Sequence, residues 1–319
     1  MAFQPVDRLP VIEWAGWWDK TVERWRGEGL PAHLRDAGEI RDYLGLDCYR
    51  QLWVRSIGPG LPPPRFGCSH IRDMNSYLEI RKYLYPDDDY DQEYLRGWAE
   101  KQRKGEMVVW ITLDGYFWFP RVLFGIEPHM YAFYDHAELM HQINRDLAEF
   151  HLRVIERLCK VCTPSFMTFA EDMSYNHGPM LSKRCFDEFL APYYRRVVPE
   201  LEARRIVPMI DSDGDVTQMI PWLEGAGLEG LLPLERRSGV DVAAIREAHP
   251  RFRMIGAFDK TVMKDGEAAM RKEFERLLPV LRQGGFIPGV DHQTPPDVSL
   301  ATYRVYVSLL KEYCTRAAG

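Results

Sequence analysis

The sequence has 319 residues, 46% of them hydrophobic, and a formal net charge of −6 at pH 7. This composition supports a folded core, and the acidic balance does not favour nucleic acid or another anionic surface as a partner. No apolar run approaches membrane-spanning length and the first ten residues do not have the pattern of a signal peptide, so we expect a cytoplasmic protein without membrane contact.

The first hundred residues are mainly helical in pattern. Four tryptophans between residues 14 and 25 have the spacing of one helical face, which predicts a helix that packs against the flank of the main fold. Residues 36–46 predict a second short helix, and residues 51–57 predict a strand. Residues 69–105 are charged and predict a mostly helical, solvated segment.

From residue 106 onward, short apolar runs alternate with segments of helical periodicity. The runs predict buried strands at residues 107–113, 165–170, 207–210, 228–234, 252–258 and 286–290. Regular strand–helix alternation without a linker predicts a parallel sheet in one domain.

Six clear units and one or two weaker ones predict a single (β/α)8 TIM barrel over residues 1–319. In this barrel, residues 1–105 form a helical extension with the first strand or strands, and residues 106–319 form the regular β/α units. An open, doubly wound sheet is the alternative, but no glycine-rich phosphate loop follows any predicted strand.

Each of the six predicted strands ends in a carboxylate. In a parallel barrel the active site lies at the carboxyl ends of the strands, so these acids should meet at one opening. Like charges there must share protons or surround a cation, and carboxylates with one imidazole suit zinc, iron, manganese or magnesium. The strand-end residues are Asp114, Glu171 with Asp172, Asp211 with Asp213, Glu235, Asp259 with Lys260, and Asp291 with His292.

Several of these positions also have a structural interpretation. Asp114 and Asp259 have the context of turn or helix-cap residues, and Asp172 and Asp215 are plausible caps. His292 precedes a rigid proline-containing loop, but its place directly after a strand end favours a functional role.

Other side chains near the strand ends are candidates for substrate binding. Arg236 and Arg237 follow Glu235 and are placed to bind a substrate carboxylate. Aromatic side chains follow two other strand ends and predict the wall of a pocket for an organic ligand. These candidates are Trp118, Phe119, Tyr175 and His177.

Five segments of the sequence carry motifs that resemble those of one known superfamily. They are EDMSYNHGPMLS (171–182), MIDSDGDV (209–216), LPLE (232–235), IGAFDK (255–260) and GGFIPGVDHQTPPDVS (284–299). They resemble the uroporphyrinogen decarboxylase superfamily, in its uncharacterised bacterial branch related to corrinoid-dependent methyltransferases. The resemblance extends over nearly the whole chain, is densest from about residue 107 onward, and implies a single β/α barrel.

The resemblance leaves the reaction open. Uroporphyrinogen decarboxylases carry an N-terminal Arg-Gln-Ala-Gly-Arg motif that grips substrate carboxylates, whereas the nearest segment here reads WVRSIG at residues 53–58. The corrinoid-dependent methyltransferases bind zinc through His-x-Cys after the third strand and a Cys at the last strand. This chain has Asp211-x-Asp213 and Asp291-His292 at those places, so the spacing is kept with harder ligands.

The leading hypothesis is a methyltransferase or demethylase that moves a methyl group from a small organic substrate to a corrinoid protein. Asp211, Asp213 and His292, together with Glu171 or Glu235, would hold a divalent metal such as zinc or polarise the methylated heteroatom. The corrinoid is expected on a separate partner protein. A homodimer is compatible with this hypothesis.

Two alternatives stay open. In a cofactor-free decarboxylase, Arg236, Arg237 or Arg121 would hold carboxylates, and an aspartate would protonate the carbanion; the strand-end Asp114 is a further catalytic candidate. In a non-catalytic relative, residues 211–213 would recognise a ligand without turnover.

Overall fold

The computed structural model describes residues 3–64, 69–87 and 91–318. Its strands are β1 (Tyr49–Val54), β2 (Val108–Asp114), β3 (Phe166–Ala170), β4 (Ser174–Tyr175), β5 (Gly178–Pro179), β6 (Val207–Asp211), β7 (Gly230–Leu232), β8 (Arg253–Phe258) and β9 (Phe286–Val290).

Helices separate most of these strands. They are α1 (Asp19–Gly27), α2 (Ala37–Leu44), α3 (Met74–Ile80), α4 (Gln92–Arg103), α5 (Trp118–Phe124), α6 (Ile126–Asp135), α7 (Ala137–Cys159), α8 (Lys183–Cys185), α9 (Ala191–Glu202), α10 (Ile220–Gly225), α11 (Val242–Ala248), α12 (Glu267–Leu281) and α13 (Leu300–Arg316). None of the helices in the described ranges has both the length and the hydropathy that a bilayer crossing requires.

The chain forms two compact units. The terminal unit contains the chain up to Tyr49, Asp213–Thr217, and the chain from Gly230 onward. The central unit contains Arg50–Ser212 and Gln218–Glu229. The single domain over residues 1–319 and its boundaries stay a prediction.

The strands of the central unit are in a register that aligns their carboxyl ends. β2 pairs in parallel with β3, where Asp114 lies opposite Ala170, and β3 pairs in parallel with β6, where Ala170 lies opposite Asp211. β1 borders β2 in the same sheet. The predicted candidates Asp114, Glu171 and Asp211 therefore follow one edge of this sheet.

The terminal unit repeats this arrangement with three strands. β7 pairs in parallel with β8, and β8 pairs in parallel with β9, with Phe258 opposite Val290. Asp259 and Asp291, which directly follow these two residues, therefore leave the sheet at the same edge. The α/β class is confirmed by this strand–helix alternation in both units, whereas closure into an eight-stranded barrel stays a prediction.

Two details of the sequence analysis need correction. The predicted strand at 228–234 is only Gly230–Leu232, because Pro233 has no N–H group with which to continue the ladder. The four tryptophans do not share a helix, since α1 begins at Asp19 and contains only Trp25. Trp17 instead pairs as extended chain with Thr294, which leaves the first three tryptophans before the helix.

The N-terminal segment contributes a buried carboxylate, Glu13, to the core of the terminal unit. The carboxylate of Glu13 is inaccessible to solvent and accepts hydrogen bonds from the Tyr306 hydroxyl (2.8 Å) and the Val290 N–H (3.1 Å). Burial raises the pKa of Glu13 to about 7, against the smaller opposing effects of these donors and Arg41. Folding therefore favours the protonated form of this side chain.

This raised pKa predicts a pH-dependent stability. The contribution of Glu13 to stability is fully present below about pH 4.5, the ordinary carboxyl value, and is lost as pH rises through about 7. The loss amounts to roughly 3 kcal/mol. Urea unfolding between pH 4 and 8 should therefore show a smaller pH dependence in Glu13→Gln than in the wild type. The exposed Glu23→Gln is the control, and equal pH profiles for all three proteins would contradict the prediction.

Candidate active site

Three side chains of the terminal unit come together, and two of them, Glu235 and His292, follow its strands β7 and β9. Asp213, Glu235 and His292 each offer one potential ligand atom, and these atoms lie within 4.8 Å of one another. His292 Nε2 is 3.4 Å from Asp213 Oδ2. All three side chains are half-buried, so the group is neither sealed in the core nor fully solvated. We call these residues the acid–histidine trio.

Local backbone structure fixes Glu235 within the trio. The Gly214 N–H donates to Glu235 Oε2 at 2.9 Å, and the Ser238 hydroxyl donates to the same oxygen at 3.2 Å. Gly214 has φ of 85°, a conformation that is favourable only for glycine. Both of these hydrogen bonds fall on Oε2 of the Glu235 carboxylate.

The electrostatics of the trio favour a positive charge. The hydrogen bond to Asp213 raises the pKa of His292, and the negative charges of Asp213 and Glu235 act in the same direction. Burial and the nearby Lys260 oppose this effect. Two carboxylates that favour a proton on His292 would also favour a metal cation in place of that proton, since a metal and a proton compete for the same nitrogen.

Asp291 has a different environment from its neighbour His292. It has no exposed surface. Its carboxylate accepts hydrogen bonds from the Lys260 ammonium at 3.0 Å and from the backbone N–H groups of Lys260 and Arg236, each at 3.3 Å. Burial raises the pKa of Asp291, while Lys260 lowers it. These contacts connect the segments that follow β7, β8 and β9, which is a structural role.

The two arginines that were predicted to bind a substrate carboxylate, Arg236 and Arg237, make contacts within the protein. Arg237 lies 3.1 Å from Asp259 Oδ2 and donates to the Thr261 hydroxyl at 2.7 Å. Asp259 is the N-cap of the turn that begins at Lys260, so its interpretation as a cap is confirmed. Arg236 donates from its guanidinium to the Val240 carbonyl at 3.3 Å. Substrate binding by the two arginines stays a prediction.

Glu171 lies in the core of the central unit. Only 1% of its surface is exposed, and its carboxylate accepts the N–H groups of Tyr116 (2.7 Å), Phe117 (2.7 Å) and Trp118 (3.1 Å) and the Tyr194 hydroxyl. Burial raises the pKa of Glu171 to about 7, and these four donors lower it. The carboxylate thus holds the turn that begins α5, and its contacts favour a structural role over the predicted catalytic one.

Two further candidate acids of the central unit make hydrogen bonds with neighbouring backbone, Asp114 through its carboxylate and Asp211 through its own carbonyl. Asp114 is 8% exposed, accepts the Ser56 N–H at 2.9 Å and has its pKa raised by burial. The Asp211 carbonyl accepts the Glu171 N–H at 2.9 Å, which continues the strand pairing. Asp211 lies in the central unit, and its predicted part in catalysis and metal binding stays a prediction.

The aromatic candidates do not share one environment. Phe119 is 1% exposed and packs on Tyr85 with ring centroids 5.7 Å apart, so it belongs to the core. Trp118 is half-buried beneath the Arg121 guanidinium, 4.4 Å from its ring. Tyr175 and His177 are exposed and meet edge to face at 5.7 Å. Phe119 is therefore unsuited to line an open pocket.

Several residues that shape these sites were missed in the sequence. Ser238 and the Gly214 amide hold Glu235, and Tyr194 holds Glu171. The short spacing from Glu235 to Ser238 was a usable signal, because serine three residues on can reach back to the acid. Tyr194 gave no signal, since it follows Glu171 by 23 residues on a separate helix.

Carboxylates and a histidine that follow the ends of parallel strands define an α/β protein with a candidate site at the carboxyl edge of its sheet. The model of the family described as uroporphyrinogen decarboxylase (URO-D) matches residues 123–313, more than half of the chain. The chain belongs to this family, and the superfamily resemblance seen in its motifs is confirmed.

One solved structure shows a related fold, and a second is similar at a lower score. A methyltransferase from Methanosarcina mazei matches 97% of this chain and 95% of its own, with a TM-score of 0.61 and 15% sequence identity. A putative vitamin-B12 independent methionine synthase from Listeria monocytogenes matches 99% of this chain and 98% of its own, with a TM-score of 0.42 and 11% identity. No curated protein matches the sequence significantly. At these identities the likeness concerns the fold alone.

The environment of Glu171 predicts that its removal destabilises the protein. Glu171→Ala leaves three backbone N–H groups and one hydroxyl buried without an acceptor, and should lower the free energy of unfolding by about 3 kcal/mol or more. Urea unfolding measures this loss, with Glu202→Ala on the exposed face of α9 as the control. A Glu171→Ala protein of unchanged stability would instead favour a catalytic role.

Proposed function

We propose that this chain is an enzyme of the URO-D family that moves a methyl group from a small organic substrate to a corrinoid carried by a partner protein. We further propose that the acid–histidine trio holds a divalent cation in its site. The observation that carries the proposal is the convergence of three ligand atoms within 4.8 Å. The fold it shares with a methyltransferase supports the same reading.

The donor set of the trio fits a divalent cation. One imidazole nitrogen and two carboxylate oxygens suit zinc, and also manganese or iron, while the absence of thiolate from the trio disfavours softer ions. Three protein ligands in a half-buried position leave coordination sites for water or substrate, as catalytic sites require. Gly214 and Ser238 would then be the outer partners that orient the carboxylate of Glu235.

A cation in this position would act as a Lewis acid on the heteroatom that loses the methyl group. The chain's own residues divide the remaining work. Asp213 and Glu235 supply negative charge, and His292 supplies the nitrogen ligand on a backbone fixed by Asp291. Lys260, 17% exposed beside this group, keeps the charge of Asp291 compensated. Asp291 is thereby reserved for structure and not for the cation.

The cation site predicts a selective loss of metal affinity. Titration of metal-free protein with Zn²⁺ should show binding by the wild type, weakened at least about 100-fold in Asp213→Ala and Glu235→Ala, since loss of a ligand costs more than loss of an outer partner.

The matched control is Asp215→Ala. Asp215 lies in the same segment, but its carboxylate accepts the Thr217 N–H at 3.0 Å as a turn residue. This variant should bind Zn²⁺ like the wild type. A wild type that binds no Zn²⁺, or equal losses in all three variants, would rule out the cation site.

The methyl transfer is tested with free cob(I)alamin as acceptor and a panel of methyl ethers, methylamines and methyl thioethers as donors. Formation of methylcobalamin, followed by its absorption spectrum, is expected for at least one donor class. Activity should be lost in Asp213→Ala and kept in Asp215→Ala. No transfer from any donor, either to free cobalamin or to added corrinoid proteins, would contradict the proposed reaction.

Decarboxylation of a small carboxylated molecule is the second candidate function, and the family match is the observation that favours it. In this reaction the chain would need no metal, because an arginine holds the carboxylate and an acid protonates the carbanion. Release of carbon dioxide by metal-free protein would select this function. Decarboxylation is the weaker candidate function, because Arg237 already contacts Asp259 and Thr261.

A further inference from the structure

The loop that carries His292 rests on the N-terminal segment of the chain, within the terminal unit. The Trp14 indole N–H donates to the Val290 carbonyl at 2.6 Å, and Glu13 accepts the Val290 N–H at 3.1 Å. Both backbone groups of the last residue of β9 are therefore held by side chains adjacent in sequence. The backbone enters the site from this fixed point.

The far side of the same loop is also held by the N-terminal segment. The Thr294 carbonyl accepts the Thr21 hydroxyl at 2.9 Å and the Trp18 N–H at 3.4 Å. His292 thus lies midway in a five-residue span whose two ends are both bonded to residues 13–21. Asp291, inside the span, is held by two backbone N–H groups and Lys260.

Glu13 is seated tightly against β9. A Cβ atom added to Gly289 would lie 3.1 Å from Glu13 Oε1, so that the Glu13 side chain would have to shift by a few tenths of an ångström to admit it. The second oxygen of the carboxylate accepts Tyr306 at 2.8 Å and Tyr303 at 3.4 Å. A buried carboxyl group is expensive unless donors surround it, and here the donors come from β9 and α13.

We propose that Glu13 is a positioning residue of the candidate site, with Trp14 as its companion. It holds the end of β9 so that His292 Nε2 meets Asp213 and Glu235. The proposal rests on the proposed function only in its second test, which measures metal binding. The placement of His292 against Asp213 is a property of the protein without metal.

The first test measures the metal-free protein by NMR. The imidazole signals of His292, assigned from their absence in His292→Gln, should shift in Glu13→Leu, which leaves the Val290 N–H without its acceptor. Glu13→Gln keeps that acceptor and should restore the wild-type signals. Leu277→Ala on α12 removes a buried side chain and controls for general destabilisation, and should leave the His292 signals in place.

The second test uses Co²⁺ alone as a spectroscopic probe of the trio. Loss of an outer support typically weakens metal binding 10- to 100-fold, so Glu13→Leu should bind Co²⁺ about 10-fold more weakly, with Glu13→Gln close to wild type. If Glu13→Leu fails to fold, Trp14→Phe removes the other bond to Val290 and should change both readouts in the same direction.

The two tests separate the two proposals. A wild type that binds no Co²⁺, combined with a shifted His292 signal in Glu13→Leu, would refute the cation site and support the positioning role. Unchanged His292 signals in both Glu13→Leu and Trp14→Phe would overturn the positioning role. Equal shifts in Leu277→Ala and Glu13→Leu would overturn it as well.

Discussion

Parallel pairing in register is the constraint on which the candidate site depends. Hydrogen bonds between β8 and β9 place Phe258 opposite Val290, and those between β2 and β3 place Asp114 opposite Ala170. Within each unit, the residues that follow paired strands then leave the sheet at the same edge, whatever their distance along the chain. Side chains from distant parts of the sequence become neighbours for this reason, and the chemistry of the site follows from which of them stay accessible.

Burial divides the strand-end acids into two classes. Glu171 and Asp291 have almost no exposed surface and receive backbone N–H groups from adjoining segments, which makes them ties between strand ends. Asp213 and Glu235 are half-buried and face a histidine instead. A buried carboxylate is expensive unless donors surround it, so the contacts of the fully buried acids favour a structural role. The half-buried acids keep capacity for a ligand.

Much of the fold could be predicted because its signals are local. Apolar runs located the parallel strands from residue 106 onward, though not the short pair β4 and β5. Asp36 caps the start of α2, as its residue type favours. The tryptophan face failed because helical spacing also occurs by chance in extended chain, and Trp17 pairs with Thr294 across the unit. Periodicity over so few residues does not report on such distant partners.

The candidate site was harder to predict, for the same reason. In the sequence, an acid that follows a strand looks the same whether it holds the structure together or binds a ligand. Only the tertiary partners distinguish Glu171 from Glu235. The donors that bury Glu171 come from the turn at residues 116–118 and from Tyr194, none of which is local to it. Glu235, by contrast, receives Ser238 from its own turn.

The ligand types of the trio bear on the chemistry that the site would support. The related methyltransferases that the motifs resemble use thiolates, which transfer much charge to zinc and suit the activation of a thiol. Carboxylates donate less charge, so a cation held by Asp213, Glu235 and His292, as proposed, would keep more of its positive charge and would polarise a bound oxygen or nitrogen more strongly. The change from sulfur to oxygen ligands therefore favours a site that withdraws electrons from a methyl donor over one that prepares a thiol acceptor.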